Sequence, residues 1–506
     1  MEPWLTPLYD AEGMRGVDRW AIEERGVASL ELMEAAGRAV AEAVAELAPE
    51  GPVRVVCGKG NNGGDGFVAA RLLREMGFGV EVLLLWPAEE LRGDAAVNYE
   101  RFGSGFLDGD PAGRLVGSGA IVDAIFGTGF EGPPQEPVGS VIRAINDSGA
   151  PVVACDVPSG VDASNGRVAG EAVDADVTVS FHAAKLGQRI APGKWRTGEL
   201  RVVPIGIPTG APGGTVAGEI DAGVLALLPP RGPESTKFKS GQVAIAGGSR
   251  GLTGAVRMTS LAAIRAGAGY ATVAVPADLE IVFELAQPEV MSVACPGGDG
   301  CLTPASAKAV LRTFERAAAG VVGPGLGRGP GSLELAREVV PRIEAPLVLD
   351  ADGLNAFAAR LGELRSRRAP TILTPHAGEL GRLFECDATE VDANRLSSAK
   401  EAAEEAGSVV VLKGDDTIVT DGSRVAVNAL SAPALATAGS GDVLSGMIAA
   451  LLARGLEPFA AACAAVLAHA RAGLDAAARV GAAESVIATD VIDSIPAGIR
   501  PVGPLE

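Results

Sequence analysis

Histidine, aromatic residues and paired cysteines are scarce in this chain of 506 residues. Only three histidines occur, and aromatic residues make up 4% of the sequence. The six cysteines, at positions 57, 155, 295, 301, 386 and 463, are scattered and include no C-x-x-C pair. We therefore expect no zinc site built from His and Cys, and we predict reduced thiols rather than disulfides.

Basic residues and long apolar runs are also lacking. The sequence has 43 Lys and Arg against 63 Asp and Glu, a formal net charge of −20. Binding to nucleic acid or to an anionic membrane needs clustered positive charge, so we predict neither partner. The most apolar stretches, 443–452 and 459–467, are short and are predicted to be buried helices. The acidic N-terminal segment shows no secretory pattern, so we expect a cytoplasmic protein.

The hydrophobic content of 47% is enough to fill the cores of two or three domains. Buried strand runs alternate with helical patterns from Val53 to Pro204 and again from Gln242 onward. Such alternation is typical of doubly wound α/β sheets. Proline and glycine concentrate in residues 211–235, which we predict to be a linker between a domain at 1–210 and a domain at 236–506.

A glycine-dense stretch follows the first buried strand run, Val53–Cys57. It has the sequence GKGNNGGDG over residues 58–66 and precedes a helix predicted from Phe67 to Met76. Its spacing differs from the G-x-G-x-x-G fingerprint of dinucleotide-binding proteins. Because five glycines, two amides and an acid occur within nine residues, we predict close backbone approach to a ligand together with specific polar contacts.

Polar residues follow two later strands of the same half. Asp123 precedes the Phe126–Phe130 loop, and Asp156 opens a D-V-P-S-G motif that contains Ser159. The carboxyl ends of parallel strands are where such sheets bind ligands. Oxygens of Asn62, Asp123 and Ser159 could share one hard cation, although the spacing alone favours an interpretation without a metal.

Residues 434–446, ALATAGSGDVLSG, are the strongest motif of the second half. Small residues and three glycines lead directly into a helical pattern, so free N–H groups and the positive end of a helix would face one point. That arrangement suits a polyphosphate. Asp442 falls in the first predicted turn, where it either complements the helix dipole or deprotonates a hydroxyl that attacks phosphorus.

Four further motifs of the second half follow strand patterns. They are GGSRGLTGA at 247–255, GPGLG at 323–327, TPHAGE at 374–379 and KGDDT at 413–417. A fifth, DADGLN at 350–355, ends a strand with two acids and an amide, which suits a phosphate with its magnesium ion.

In this order, the motifs resemble those of bifunctional NAD(P)H-hydrate repair enzymes. GKGNNGGDG resembles the NAD(P)H-hydrate epimerase domain, and 434–446 resembles the anion-hole signature of ribokinase-like kinases, in which the matching aspartate is the catalytic base. The resemblance extends over about residues 8–495. It implies an α/β protein with an N-terminal Rossmann-like three-layer αβα sandwich and a C-terminal ribokinase-like αβα domain.

The resemblance also implies residue roles. In the first domain it implies hydrate contacts from Asn61, Asn62, Gly63, Gly64, Asp65, Gly127, Thr128, Gly129, Phe130, Glu131, Gly132, Pro133 and Asp156, and potassium (K+) ligands Asn62, Asp123 and Ser159. In the second it implies substrate contacts from Ala255, Gly325, His376 and Asp442, and nucleotide contacts from Lys413, Gly414, Asp415, Asp416, Thr417 and Gly441. Asp156 and Asp442 are the implied catalytic residues, and magnesium (Mg2+) is expected with ADP.

The implied reactions are epimerisation of the R and S hydrates of NADH and NADPH, and ADP-dependent dehydration of the S form with release of AMP and phosphate. A homo-oligomer is expected. One alternative is a kinase for a vitamin-type alcohol with a regulatory N-terminal nucleotide-binding domain. Another is a non-enzymatic nucleotide-binding protein, against which the presence of Asn62, Asp123, Asp156 and Ser159 weighs. Lys185 is interpreted either as a ligand-phosphate contact or as a solvated loop lysine, and His182 is given no role.

Overall fold

The computed structural model describes residues 2–47, 49–107, 111–211 and 217–501. By its contacts the chain divides into a unit of Pro7–Gly218 and a unit of Met1–Thr6 together with Glu219–Glu506. Residues 2–6 therefore group with the C-terminal part, whereas the sequence patterns suggested a single boundary region at 211–235. Residues 212–216 of that predicted linker lie outside the described residues.

The N-terminal half contains strands and helices in alternation. The strands are β1 (Leu5–Pro7), β2 (Val53–Cys57), β3 (Val80–Leu84), β4 (Ala120–Ala124), β5 (Val152–Cys155), β6 (Val177–Phe181), β7 (Glu199–Val203) and β8 (Ala217–Ile220). The helices are α1 (Ala11–Arg19), α2 (Ser29–Glu46), α3 (Asn61–Glu75), α4 (Gly93–Phe102), α5 (Pro111–Leu115), α6 (Val138–Asp147) and α7 (Gly193–Thr197). A π-helical turn, Trp20–Glu24, continues α1.

Within the described residues, six parallel strands form the sheet of the first unit in the order β3-β2-β4-β5-β6-β7. Alternate residues of a strand face opposite sides, and both sides are buried here. Val55 of β2 joins the core formed with α2 and α3, whereas Val56 joins the core formed with α6. The predicted doubly wound α/β sheet is therefore confirmed, with helices covering both faces.

Helix α3 begins at Asn61, six residues before the predicted start at Phe67. Glycine is a poor helix former, so the sequence suggested a turn. The reason for the early start is packing. A Cβ at Gly66 would lie 2.6 Å from the Cβ of Ala124, and a Cβ at Gly64 would lie 2.7 Å from the end of Met33. The glycines of this helix turn therefore allow close approach to the sheet and to α2.

The C-terminal unit continues the alternation. Its strands are β9 (Gln242–Ala246), β10 (Tyr270–Pro276), β11 (Val290–Cys295), β12 (Gly297–Gly298), β13 (Cys301–Leu302), β14 (Ala319–Val322), β15 (Leu347–Leu349), β16 (Thr371–Leu373), β17 (Val409–Leu412), β18 (Ile418–Thr420) and β19 (Val425–Val427). Its helices are α8 (Thr253–Arg265), α9 (Glu280–Ala286), α10 (Ala307–Phe314), α11 (Pro330–Val339), α12 (Asp352–Asn355), α13 (Ala377–Phe384), α14 (Ala388–Ala393), α15 (Arg395–Ala406), α16 (Ser440–Ala453), α17 (Pro458–Val480) and α18 (Ala488–Gly498).

Eleven of the described strands form one sheet, ordered β1-β8-β19-β18-β17-β16-β15-β14-β9-β10-β11. Its centre is parallel, and β18 is antiparallel to both neighbours. Val243 and Ile245 of β9 join a core with α8, α16, α17 and α18, whereas the buried Ala244 between them lies outside that core. The sheet is thus covered on both faces, as predicted for a second αβα arrangement.

Helix α17 is, among the described residues, long and apolar enough to cross a membrane by composition. However, 83% of its most apolar window is buried inside the protein. Its N-terminal half matches the predicted buried helix at 459–467, and it continues past Arg471 to Val480. We therefore describe it as a core helix.

Candidate active sites

A cavity of about 550 Å³ opens at the carboxyl end of the first sheet. It lies at the end of β2, which has β3 on one side and β4 on the other. The strand order of the sheet reverses at this point, which is where such sheets bind ligands. Its walls include Asn61, Asn62, Asp65, Gly127, Thr128, Gly129, Phe130 and Asp156. The structure thus brings most of the predicted first-domain residues to one place.

Five of the predicted hydrate-binding residues do not line this cavity. They are Gly63, Gly64, Glu131, Gly132 and Pro133. Gly63 packs so closely on the carbonyl of Gly58 that any Cβ would clash, and Gly64 packs on Met33. The two helix glycines therefore have a packing role in this structure.

The three predicted cation ligands meet around the backbone of Phe126. The Ser159 hydroxyl donates to Asp123 Oδ1 (2.6 Å) and accepts from the Phe126 N–H (2.8 Å), while Asn62 Nδ2 donates to the Phe126 carbonyl (2.9 Å). Burial raises the pKa of Asp123 to about 6, against hydrogen bonds from Ser159 and Ile125 that lower it.

The donor set at this point consists of oxygens from one carboxylate, one hydroxyl, one amide and one backbone carbonyl. In the described residues, no group of three or more His, Cys, Asp or Glu side chains is placed to hold a metal. Such a set suits a hard cation of low charge better than zinc or another transition metal.

Three acids and one lysine gather at the floor of the cavity. Lys185 is completely buried and its ammonium is ion-paired with Asp156. Burial, followed by the charge of Asp156, raises the pKa of Asp18 to about 6. Burial together with the charges of Asp156 and Asp18 raises the pKa of Asp65 well above its ordinary value. Two acids with raised pKa values, Asp18 and Asp65, therefore lie in one cavity, an arrangement that is common at functional sites.

Of the two interpretations of Lys185 from the sequence, the solvated loop lysine is wrong because the side chain is buried, and the ligand-phosphate contact stays a prediction. Besides Asp156, its ammonium contacts the Ser180 hydroxyl (3.1 Å) and the Phe181 carbonyl (2.9 Å). Its partner Asp156 has a φ of 65°, which is unfavourable for a residue with a Cβ. Strained backbone of this kind is common at functional sites.

In the C-terminal unit, Asp442 lies in the first turn of α16, as predicted. Gly439 caps the helix with a φ of 90°, a conformation that glycine adopts easily. Burial, and then the charge of Asp350, raises the pKa of Asp442 to about 7, while Lys413 lowers it. A carboxyl with a pKa near the operating pH is suited to general base catalysis.

Lys413 connects the acids that surround Asp442. Its ammonium lies 3.1 Å from Asp350 Oδ1 and 3.4 Å from Glu379 Oε2. Burial alone would lower the pKa of Lys413, but these two carboxylates outweigh burial and raise it. The ammonium also lies 3.3 Å from the point that a Cβ would occupy at Gly441, so it borders the glycine turn. Asp350 is held from its other side by the Ser445 hydroxyl (2.6 Å).

His376 caps helix α13. Its Nδ1 accepts hydrogen bonds from the backbone N–H groups of Gly378 (3.0 Å) and Glu379 (3.3 Å). The backbone N–H of His376 donates to Glu379 Oε2 (2.9 Å). About half of the side chain stays exposed. These contacts hold Glu379 beside Lys413, and His376 Nε2 lies 3.6 Å from Glu379 Oε1.

The remaining predicted substrate contacts, Ala255 and Gly325, lie side by side. A Cβ at Gly325 would be 3.2 Å from the Cβ of Ala255. The same loop continues to Gly327, whose N–H donates to Asp352 Oδ2 (2.9 Å), and the charge of Asp352 contributes to the raised pKa of Asp442.

A second cavity, of about 310 Å³, lies beside the start of α16. The predicted nucleotide contacts that line it are Lys413, Gly414, Asp415, Thr417 and Gly441. Asp416 does not line it, because its carboxylate turns inward to form a buried ion pair with Arg395 (2.8 Å).

Several residues of these sites were not found from the sequence. Asp18 comes from α1, far along the chain from the glycine motif, and no local pattern marks it. Asn428 and His469 line the second cavity but belong to no motif. For His469 the sequence offered one signal of a functional role, namely a single histidine within the apolar run of α17.

Comparison with known proteins identifies two families in the chain. The model for NAD(P)H-hydrate dehydratases matches residues 243–497, and the model described as the YjeF-related protein N-terminus matches residues 29–187.

Relatives match along the full length. A bifunctional NAD(P)H-hydrate repair enzyme of Salinibacter ruber is 40% identical over 98% of this chain and 96% of its own length. The enzyme of that name from Escherichia coli is 34% identical over 98% of this chain and 94% of its own length. The crystal structure of an ADP/ATP-dependent NAD(P)H-hydrate dehydratase from Bacillus subtilis, obtained with ATP and Mg2+, is 30% identical, covers 54% of this chain and 94% of its own, and has a TM-score of 0.47.

Proposed function

Because the chain belongs to the family of bifunctional NAD(P)H-hydrate repair enzymes, we propose that its two sites carry out two successive repair reactions. The first unit epimerises the R and S hydrates of NADH and NADPH. The second dehydrates the S hydrate with consumption of ADP, releasing AMP and phosphate. The single observation that carries this proposal best is Asp442, whose carboxyl has a pKa of about 7 and lies at a glycine-capped helix start beside Lys413.

The chemical problem of dehydration is the leaving group. A hydroxyl at carbon 6 of the hydrated nicotinamide leaves poorly, whereas its phosphate ester leaves readily. Asp442 takes the proton of this hydroxyl as it attacks the terminal phosphoryl group of ADP. The N–H groups of Ala438 to Gly441 and the Lys413 ammonium hold the transferred group. Loss of phosphate from carbon 6 together with a proton from carbon 5 then forms the double bond that restores the dihydropyridine ring.

Epimerisation requires that the configuration at carbon 6 be lost and restored, which moves protons to and from the substrate. Burial, followed by the charges of Asp156 and Asp18, raises the pKa of Asp65 well above its ordinary value, which favours the protonated form. Asp156 is ion-paired with Lys185 and lines the same cavity. Two carboxyl groups in such different environments suit the roles of acid and base.

Ions complete both sites in this proposal. Asn62, Asp123 and Ser159, with the Phe126 carbonyl, would hold potassium, which supplies positive charge for the phosphates of the hydrate. Asp350 and Asp352 border the place where magnesium would accompany ADP and neutralise the charge on its phosphates. We further propose that the protein works in the cytoplasm as a homo-oligomer, without nucleic acid or membrane as a partner.

The direct test uses purified protein, S hydrate, ADP and magnesium. We expect the near-ultraviolet absorbance of NADH to return, with ATP as a poor substitute. Stable phosphorylation of a vitamin-type alcohol, with no return of absorbance for either nucleotide, would instead establish the kinase alternative. Replacing potassium by lithium should slow conversion of the R hydrate and leave dehydration of the S hydrate unchanged.

A further inference from the structure

Two buried polar atoms without a hydrogen-bond partner border the same cavity. Among the described residues, Asn428 Oδ1 and His469 Nε2 are buried and make no hydrogen bond, and both residues line the 310 Å³ cavity of the C-terminal unit. Asn428 is 4% exposed and His469 is 7% exposed. The protein covers nearly all of both side chains, and leaving such buried atoms unpaired costs free energy. A ligand in the cavity would supply the missing partners.

The orientation of the Asn428 amide is determined by its other contacts. Its Nδ2 donates to the Leu430 carbonyl (3.0 Å), and its backbone N–H donates to the Thr417 carbonyl (3.0 Å). Rotating the amide would place two oxygens against each other at Leu430. The unpaired Oδ1 is therefore an acceptor that calls for a donor on the ligand.

The His469 ring is neutral near pH 7. Burial, followed by the charge of Lys413, lowers its pKa to about 4, although a hydrogen bond with the backbone of Ser440 acts in the opposite direction. A neutral imidazole has one donor and one acceptor nitrogen. Its donor nitrogen is the one bonded to the Ser440 backbone, so the unpaired Nε2 is an acceptor that, like Asn428 Oδ1, calls for a donor on the ligand.

The rest of the cavity favours a flat apolar group with phosphates at one end. Leu430, Leu435, Leu444 and Val466 form apolar walls. Lys413 and Gly441 lie at the phosphate-binding turn. Apolar walls with a few convergent polar atoms are typical of small-ligand sites.

We propose that Asn428 and His469 select a 6-aminopurine nucleotide. Asn428 Oδ1 accepts a hydrogen bond from one N–H of the exocyclic amine, and His469 Nε2 accepts one from the second N–H of the same amine. A 6-oxopurine would instead place its carbonyl oxygen against Asn428 Oδ1. This inference rests on the proposed function in one respect: the ligand is the nucleoside diphosphate that the dehydration step consumes.

The test is equilibrium binding of ADP and of inosine diphosphate to the purified full-length protein. ADP should bind at least about tenfold more tightly, since a correctly paired base edge discriminates by that order. ADP with two methyl groups on its amine has lost the donor and should bind as weakly as inosine diphosphate. These two measurements need no variant, and equal binding of all three nucleotides would overturn the proposal.

Variants assign the selectivity to the two side chains. Asn428→Leu should reduce the preference for ADP over inosine diphosphate to near unity, and His469→Phe should reduce it in part. Val466→Ala, one turn before His469 in the same wall, is the matched control. It should weaken the binding of ADP and of inosine diphosphate by the same factor. An unchanged preference in Asn428→Leu would refute the assignment. Because binding is measured without hydrate, a protein that discriminates between nucleotides but dehydrates nothing would refute the proposed reaction and leave this inference standing.

Discussion

Each unit holds one lysine among carboxylates, but the two lysines differ in what they can reach. An ammonium has three hydrogen-bond donors, and those of Lys185 are all directed to protein acceptors: Asp156, the Ser180 hydroxyl and the Phe181 carbonyl. Lys413 contacts Asp350 and Glu379, yet a fifth of its side chain is exposed beside the glycine turn. Lys185 therefore positions and neutralises Asp156, whereas Lys413 has a donor left for a phosphate.

The difference shows how one residue type serves two chemistries. In the first site the buried cation compensates a surplus of acids, and Asp18 and Asp65 still have raised pKa values. In the second site the cation lies at the edge of the acids, where a polyanionic ligand would contact it directly. We therefore expect Lys185 to be needed for the stability of the first site and Lys413 to be needed for ligand binding at the second.

The largest effect is expected from Asp156→Ala. This change removes the carboxylate that Lys185 holds in the first cavity and should abolish conversion of the R hydrate. Dehydration of the S hydrate, which uses residues of the second unit, should continue at the wild-type rate. The measurement is NADH recovery from each pure epimer. Equal loss of both activities would contradict the separation of the two sites.

Asp442→Asn should have the opposite effect, with dehydration of the S hydrate impaired and conversion of the R hydrate to the S hydrate retained. The change keeps the size of the side chain but removes its basicity, so turnover of the S hydrate should fall by at least about 10²-fold. Binding of ADP should stay unchanged or tighten slightly, because a negative charge near the phosphates is lost. Steady-state rates and a calorimetric titration with ADP separate the two effects. Retention of more than half of the wild-type rate would leave Asp442 as a helix-terminus residue only.

Lys185→Met and Lys413→Met compare the two lysines directly. Removing Lys185 leaves buried acids without their cation and should lower the free energy of unfolding of the first unit by about 3 kcal/mol. Removing Lys413, whose side chain is one-fifth exposed, should cost less than this and should in addition raise the dissociation constant for ADP. Hydrogen exchange of α3 and β4 reports the first effect, and ADP titration reports the second. Similar stability losses in both variants would remove the distinction between the lysines.

The smallest effect concerns pH. Asp442 acts as a base only when deprotonated, and its pKa is about 7, so the dehydration rate should rise with pH up to about 7 and then level off. Because the charge of Asp350 raises this pKa, Asp350→Asn should move the rise to lower pH. Asp387→Asn, an exposed acid outside the site, is the control and should leave the profile unchanged. A shift of the rise to higher pH in Asp350→Asn would contradict this electrostatic account.

Local signals in the sequence predicted much of this molecule. The alternation of strands and helices, the start of α16 at the Ser440 turn and the meeting of Asn62, Asp123 and Ser159 follow from patterns a few residues long, combined with the geometry of parallel sheets. The relatives confirm the predicted family. The roles of individual residues and the domain boundaries stay predictions.

The features that could not be predicted from the sequence depend on packing between residues far apart in the chain. Helix α3 starts at Asn61 because its glycines allow contact with the sheet, which outweighs their poor helix propensity. The burial of Lys185 depends on Asp156, and Asp18 reaches the cavity from α1. Such contacts join residues far apart in the chain, and no window of a few residues contains them.

The grouping of residues 2–6 with the C-terminal unit has a consequence for synthesis on the ribosome. Trp4 packs against Phe459 with ring centroids 6.1 Å apart, and Glu2 pairs with Arg424. About 450 residues separate the two rings in the chain, so at typical elongation rates the N-terminal segment waits roughly 20 to 90 s for its partners. During that interval the intervening unit can fold as translation proceeds, while β1 remains an unpaired strand that chaperones could bind.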